Sequence, residues 1–97
     1  MRKHIPRGWQ SILWSVKISQ LNVKENQNYI IHQILNFGTP QQIRELFGLY
    51  GSNIIKQVFL KKPQKIYNVS RLSFIKNIIL DLKNVPIKKK QYIQTLF

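Results

Sequence analysis

The stretch Thr39-Pro40-Gln41-Gln42-Ile43-Arg44-Glu45-Leu46-Phe47-Gly48-Leu49-Tyr50-Gly51 decides the fold class of this chain. Thr39 suits a helix N-terminus, because its hydroxyl accepts a backbone N–H that no intrahelical carbonyl serves. Pro40 fits the first helical position, where its missing N–H costs nothing, and Gln42 stands where it can reach back to complete a capping box. Ile43, Leu46, Phe47 and Tyr50 then recur at i, i+3, i+4 and i+7, so one face is apolar at the helical period, and Gly51 ends the run. A helix is predicted.

The flanking segments repeat that logic. Upstream, Asn22 followed by Glu25 predicts a capping box for a helix over Val23 to Phe37, with Ile30, Ile31, Ile34 and Leu35 on one face and Gly38 as a left-handed stop. Downstream, Ser52 is expected to cap a helix whose Ile54, Ile55, Val58 and Phe59 face inward while Lys56, Lys61 and Lys62 face water, until Pro63 breaks it. Gln64 to Val69 reads as a connector. Ser70 is then expected to cap a fourth helix with Leu72, Ile75, Ile78, Ile79 and Leu82 on one side, closed by Pro86.

These readings give an all-α fold, a small helical bundle of about four to five helices, with the pair around Gly51 open to a helix-turn-helix reading. The expected core is Ile31, Ile34, Leu35, Leu46, Phe47, Ile55, Val58, Phe59, Ile75 and Ile79. Residues 1–21 form a basic aromatic N-terminal arm, expected to pack Trp9 and Trp14 on the body, and 22–85 the helical domain. Residues 86–97 read as a basic, then apolar, tail or helix: Lys88, Lys89 and Lys90 precede Tyr92, Ile93, Leu96 and Phe97. Consecutive lysines cannot share a buried face and Pro86 detaches the segment, which points to a docking element outside the core. A terminal helix folded back over the bundle is the alternative.

Lys and Arg number 16 against the three acids Glu25, Glu45 and Asp81, a net charge of +13 in 97 residues. Self-repulsion on this scale calls for a counter-charged partner such as a nucleic acid, an anionic membrane or an acidic protein. An AT-rich coding sequence raises Lys, Ile and Asn together and gives the same composition without a partner. The residues expected to meet nucleic acid or a protein partner are Lys56, Lys61, Lys62, Lys65, Arg71, Lys88, Lys89 and Lys90; lysine-coated solvated helices are the plainer account. A standard helix-turn-helix fits poorly, since Phe47 is bulky where that motif wants a small residue and Ser52 is polar where it wants an apolar one.

Catalysis has little to draw on. Glu25 and Glu45 suit capping and surface positions, Asp81 lies among lysines, His4 lies in the arm, and His32, between apolar neighbours, reads as a packed histidine. No HxxxH, ExxH or paired-carboxylate spacing occurs, and no phosphate loop, so no enzyme activity, metal or cofactor is expected. The absence of cysteine excludes a disulfide framework. Met1 to Trp14 is too polar for a signal peptide, and no window approaches the roughly 18 apolar residues of a membrane span. A soluble cytoplasmic protein without a membrane partner is expected.

One pattern runs through Leu13-Trp14, Leu21, the run Tyr29 to Gly38, Ile43-Arg44-Glu45-Leu46-Phe47, Tyr50-Gly51, Ile54-Ile55, Val58 and Leu72-Ser73-Phe74. In it the chain resembles, from Leu13 to Leu82, a family of small uncharacterised bacterial proteins commonly encoded beside nucleotidyltransferase-type toxins of the abortive-infection class. It departs from them in having Phe74-Ile75 where Phe-Trp is usual, and in being more basic. The resemblance implies an antitoxin-like or regulatory accessory protein and no catalytic residue; taken with the charge, it gives the expectation of a protein that binds a partner toxin, and its operator DNA, through a basic helical surface. The charge alone also suits a nucleic-acid or ribosome-associated binding module without a toxin partner.

Overall fold

A computed structural model describes residues 5–14 and 17–94. Its helices are α1 (Gln27–Phe37), α2 (Pro40–Tyr50), α3 (Ser52–Lys61) and α4 (Val69–Phe74), the last continued by a π-helical turn over Ile75–Ile79. Short 3₁₀ turns occupy Arg7–Ser11, Ile18–Gln20 and Lys89–Gln91. Among the described residues there is no strand, only an isolated parallel bridge between Tyr67 and Ile93. The expected all-α bundle is what forms.

The capping box of α2 is made as its sequence predicts. Gln42 N donates to Thr39 Oγ1 at 3.2 Å and Thr39 N donates to Gln42 Oε1 at 2.9 Å. Gly51 follows at φ 84°, a backbone conformation that side chains with a Cβ rarely adopt, and α3 begins at the next residue. This single-residue joint is shorter than the three- to four-residue turn of a helix-turn-helix.

Other boundaries differ from expectation. α1 starts at Gln27, not Val23. Asn22 Oδ1 does accept from Lys24 N and Glu25 N, both at 2.9 Å, but the reciprocal acceptor for Asn22 N is Asn26 Oδ1, at 2.8 Å, and not Glu25. The box therefore closes a separate turn that leads into α1. Gly38 is extended at φ −74°, not left-handed; its need for glycine is steric, because a Cβ there would stand 2.5 Å from the Ile34 carbonyl oxygen. Ser52 and Ser70 are not caps. Gly51 precedes α3, and Asn68 caps α4 by accepting from Arg71 N at 2.7 Å.

The fourth apolar stripe is altered by the π turn. Leu80 N donates to the Ile75 carbonyl at 2.9 Å, five residues back instead of four, so Leu80 takes the place beneath Ile75 that ordinary winding gives to Ile79. Leu80 is fully buried, Ile79 is half-buried, and Ile78, expected inward, is 66% exposed. The helix ends there, well before Pro86, as Asp81 turns the chain at φ 53°.

α1 forms the centre. Ile30, Ile31, Ile34 and Leu35 are fully buried and so, on other sides of the helix, are His32 and nearly all of Gln33, because α2 and α3 pack on it and the terminal segments cover the rest. Of the expected core, Phe47 and Ile79 lie at its margin, and Ile54 of the α3 stripe is 40% exposed. The N-terminal arm supplies Trp9 and Leu13, both fully buried. Trp9 Nε1 donates to Glu45 Oε1 at 3.1 Å, and Gln33 Nε2 to the Ile12 carbonyl at 2.9 Å. Trp14, expected to pack on the body, is instead 61% exposed, edge-on to Phe37 with ring centroids 5.1 Å apart.

The C-terminal segment is not a detached docking tail. Tyr92 is buried in the core, Tyr67 N donates to the Tyr92 carbonyl, and Gln94 N donates to the Tyr67 carbonyl, both at 2.9 Å. The segment folds back as a 3₁₀ turn and bridge, which leaves its lysines outward and sends one ring in. The expectations for Leu96 and Phe97, and for His4 of the arm, lie outside the described residues.

Candidate partner-binding surface

Chemistry concentrates at buried titratable groups, and His32, Tyr50, Tyr67 and Tyr92 are buried in this fold. His32 Nε2 lies 2.7 Å from the Lys62 carbonyl, and Nδ1 lies 2.7 Å from the Tyr67 hydroxyl. Burial lowers the His32 pKa, more than the carbonyl contact raises it, so the ring is neutral. A carbonyl only accepts; Nε2 therefore carries the proton, Nδ1 accepts, and Tyr67 donates. Burial likewise pushes the Tyr67, Tyr92 and Tyr50 hydroxyls up, which keeps them protonated as donors.

Each of these donors ends on a main-chain carbonyl or on His32. Tyr92 Oη donates to the Phe59 carbonyl at 2.5 Å and Tyr50 Oη to the Val23 carbonyl at 2.6 Å. The rings of Phe59, Tyr67 and Tyr92 pack with centroids 4.9 to 6.3 Å apart, and His32 joins them. Their work is to satisfy the last carbonyls of α3, which no intrahelical N–H reaches. His32 is a packed histidine, as its neighbours in sequence suggested. Among the described residues no three of His, Cys, Asp and Glu come together to hold a metal, and no helix is long and apolar enough to cross a membrane.

The surface carries the remaining chemistry. Lys61 and Lys62, at the end of α3, are exposed beside Lys24 and Glu25 in a shallow depression of about 240 Å³, floored by Val58. Lys65 is exposed in the connector that follows, and Lys56, on α3, is half-buried. Arg71 is already engaged: Nε donates to the Leu35 carbonyl at 2.9 Å, Nη2 to the Gly38 carbonyl at 3.0 Å, and the guanidinium lies 5.6 Å from the centre of the Phe74 ring. It caps the C-terminus of α1. Lys88, Lys89 and Lys90 are exposed, but only Lys89 faces the groove beside α4.

That groove, about 680 Å³, runs between α4 with its π turn and residues 83–93. Lys76, Lys83 and Lys89 stand along it, with Val69, Leu72, Val85, Pro86, Ile87 and Ile93 supplying its apolar surface and Ser73, Asn77 and Asn84 its neutral polar groups. Lys76 was absent from the expected site, and Lys83 entered it only as the start of the basic stretch that runs to Lys90. Helical spacing puts Lys76 and Lys83, seven residues apart, on one face, but it does not show that Lys89 joins them, because the π turn and the reversal at Asp81 bring 83–93 back across α4.

No curated protein and no solved structure matches the chain. One family does, over residues 10–59, from the middle of the N-terminal arm through the three-helix core to Phe59. By that match across half its length, the chain belongs to DUF6922, a family of unknown function.

Proposed function

We propose that this protein is a non-catalytic regulatory binding protein of antitoxin type, which holds a partner toxin through its basic helical surface. The observation that carries this reading is where the charge lies. Lys61, Lys62, Lys65, Lys83, Lys88, Lys89 and Lys90 are exposed, and among the described residues no salt bridge joins them to Glu25, Glu45 or Asp81. A surface so weakly neutralised from within attracts and orients an anionic partner. The resemblance to proteins encoded beside nucleotidyltransferase-type toxins supplies the partner's class, and in this reading the protein acts in the cytoplasm.

The test is to sequence the neighbourhood of its gene for a nucleotidyltransferase-type toxin and to co-express the two; a neighbourhood without one overturns the reading. The expected result is relief of the toxin's growth arrest and co-elution of the two chains. Continued arrest without a complex overturns the reading.

Binding of operator DNA, or of RNA, is the second reading, favoured by one row of side chains. Asn53, Gln57 and Lys61 are exposed on α3 at four-residue spacing, with Lys62 beyond them. Amides in such a row can meet base edges, and lysines phosphates. Binding of this kind weakens steeply as salt rises, because each neutralised phosphate releases counterions.

A further inference from the structure

The groove between α4 and residues 83–93 has chemistry of its own. Its rim is cationic, from Lys76, Lys83 and Lys89, and among the described residues no carboxylate lines it. Its surface is aliphatic, and part of that surface is open to water: Val69 is 63% exposed. The rim is held in place. Lys76 Nζ donates to the Lys83 carbonyl at 3.2 Å, Leu82 N donates to the Lys76 carbonyl at 2.8 Å, and Tyr92 anchors the far side through the Phe59 carbonyl. A groove already formed in the free protein spares a ligand the cost of ordering it.

We propose that this groove is a docking site for an acidic, aliphatic-anchored peptide segment of a protein partner, with its Asp or Glu side chains on Lys76, Lys83 and Lys89 and its Leu, Ile or Val side chains against Val69, Val85, Pro86 and Ile87. Charge complementarity selects the occupant's sign, and the aliphatic wall selects its anchors. Ser73, Asn77 and Asn84 offer hydrogen bonds to its main chain. A single-stranded nucleic acid would use the same lysines, but sequence-tolerant strand binding relies on aromatic rings for base stacking, and among the described residues no aromatic lines this groove. The proposal rests on the protein-partner reading above and locates the contact within it.

The test begins with a displayed random-peptide library panned against the full chain. Enriched peptides should combine Asp or Glu with Leu, Ile or Val, and should bind about tenfold more weakly to Lys83→Glu/Lys89→Glu, because attraction at two rim positions becomes repulsion. Lys17→Glu/Lys24→Glu makes the same change in net charge at exposed positions that do not line the groove and should leave affinity within about twofold, a remote and screened effect. Val69→Ser, at an exposed position that leaves the fold intact, should also weaken binding. No enrichment, enrichment of basic or purely polar peptides, equal losses in the two double variants, or displacement of the peptide by an oligothymidylate at equal concentration would each overturn the proposal. The co-expressed toxin separates this claim from the broader one. A complex that forms undiminished with Lys83→Glu/Lys89→Glu removes the groove and keeps the function; peptide binding without a toxin complex keeps the groove and removes the function.

Discussion

His32 shows what a single buried group contributes. Its Nε2–H serves the Lys62 carbonyl and its Nδ1 accepts from Tyr67, so only the neutral ring satisfies both partners. A second proton would place a charge in the core and set N–H against the O–H of Tyr67. The folded pKa is depressed below the ordinary value of 6.5, chiefly by burial. Below about that pH the unfolded chain binds more protons than the folded one, so the histidine's contribution is present above it and lost as pH falls. Stability should therefore drop on going from pH 7 toward pH 5, with a slope of up to about 1.4 kcal/mol per pH unit. In His32→Gln, which is less stable at pH 7 but cannot titrate, the slope should flatten; melting temperatures of both proteins across that range decide it, and an equally steep slope in the variant assigns the effect elsewhere.

At the scale of elements, the π turn makes the sharpest prediction. Leu80→Ala should cost about 2 to 5 kcal/mol, the usual range for emptying a buried leucine site, while Ile78→Ala should change stability by less than about 0.5 kcal/mol. Urea unfolding of the two variants measures this, and the opposite ranking would restore ordinary α-helical register. Deleting residues 87–97 should destabilise the protein by about 3 kcal/mol or more, since it removes the Tyr92 ring and leaves the Phe59 carbonyl without its donor. An unchanged melting temperature would show that the segment is a tail after all.

What the sequence reveals of these elements follows from range. The α2 box was legible because Thr39, Pro40 and Gln42 act within one turn, and the apolar stripes were legible because periodicity is local. The C-terminal caps were not. α1 and α3 end on side chains contributed from 30 to 36 residues away, by Arg71, His32 and Tyr92, and no spacing rule connects them. The same reason hid Tyr67, which reads as connector and is core, and Tyr92, whose flanking lysines disguised it. The lysine run 88–90 drew attention to the right region, yet only Lys89 of the three lines the groove, and helical spacing does not join it to its companions Lys76 and Lys83.

The whole molecule carries +13 on one small domain, and its exposed lysines repel one another. Raising salt from low to physiological concentration should screen that repulsion within about 8 to 10 Å and raise the melting temperature. A melting temperature that falls with salt would mean that attraction within the chain already outweighs the repulsion. A partner that neutralises the surface should stabilise the protein through the same lysines, by mass action on the folded state.

The reading of this chain as a protein-binding regulator is tested most directly by affinity capture of the tagged full-length protein from cells that also carry its gene neighbourhood, with exhaustive nuclease treatment and a salt gradient for elution. The account predicts that a nucleotidyltransferase-type protein is retained in stoichiometric amount after nuclease treatment and is released as salt rises. Retention of nucleic acid alone, lost on nuclease treatment, would contradict it.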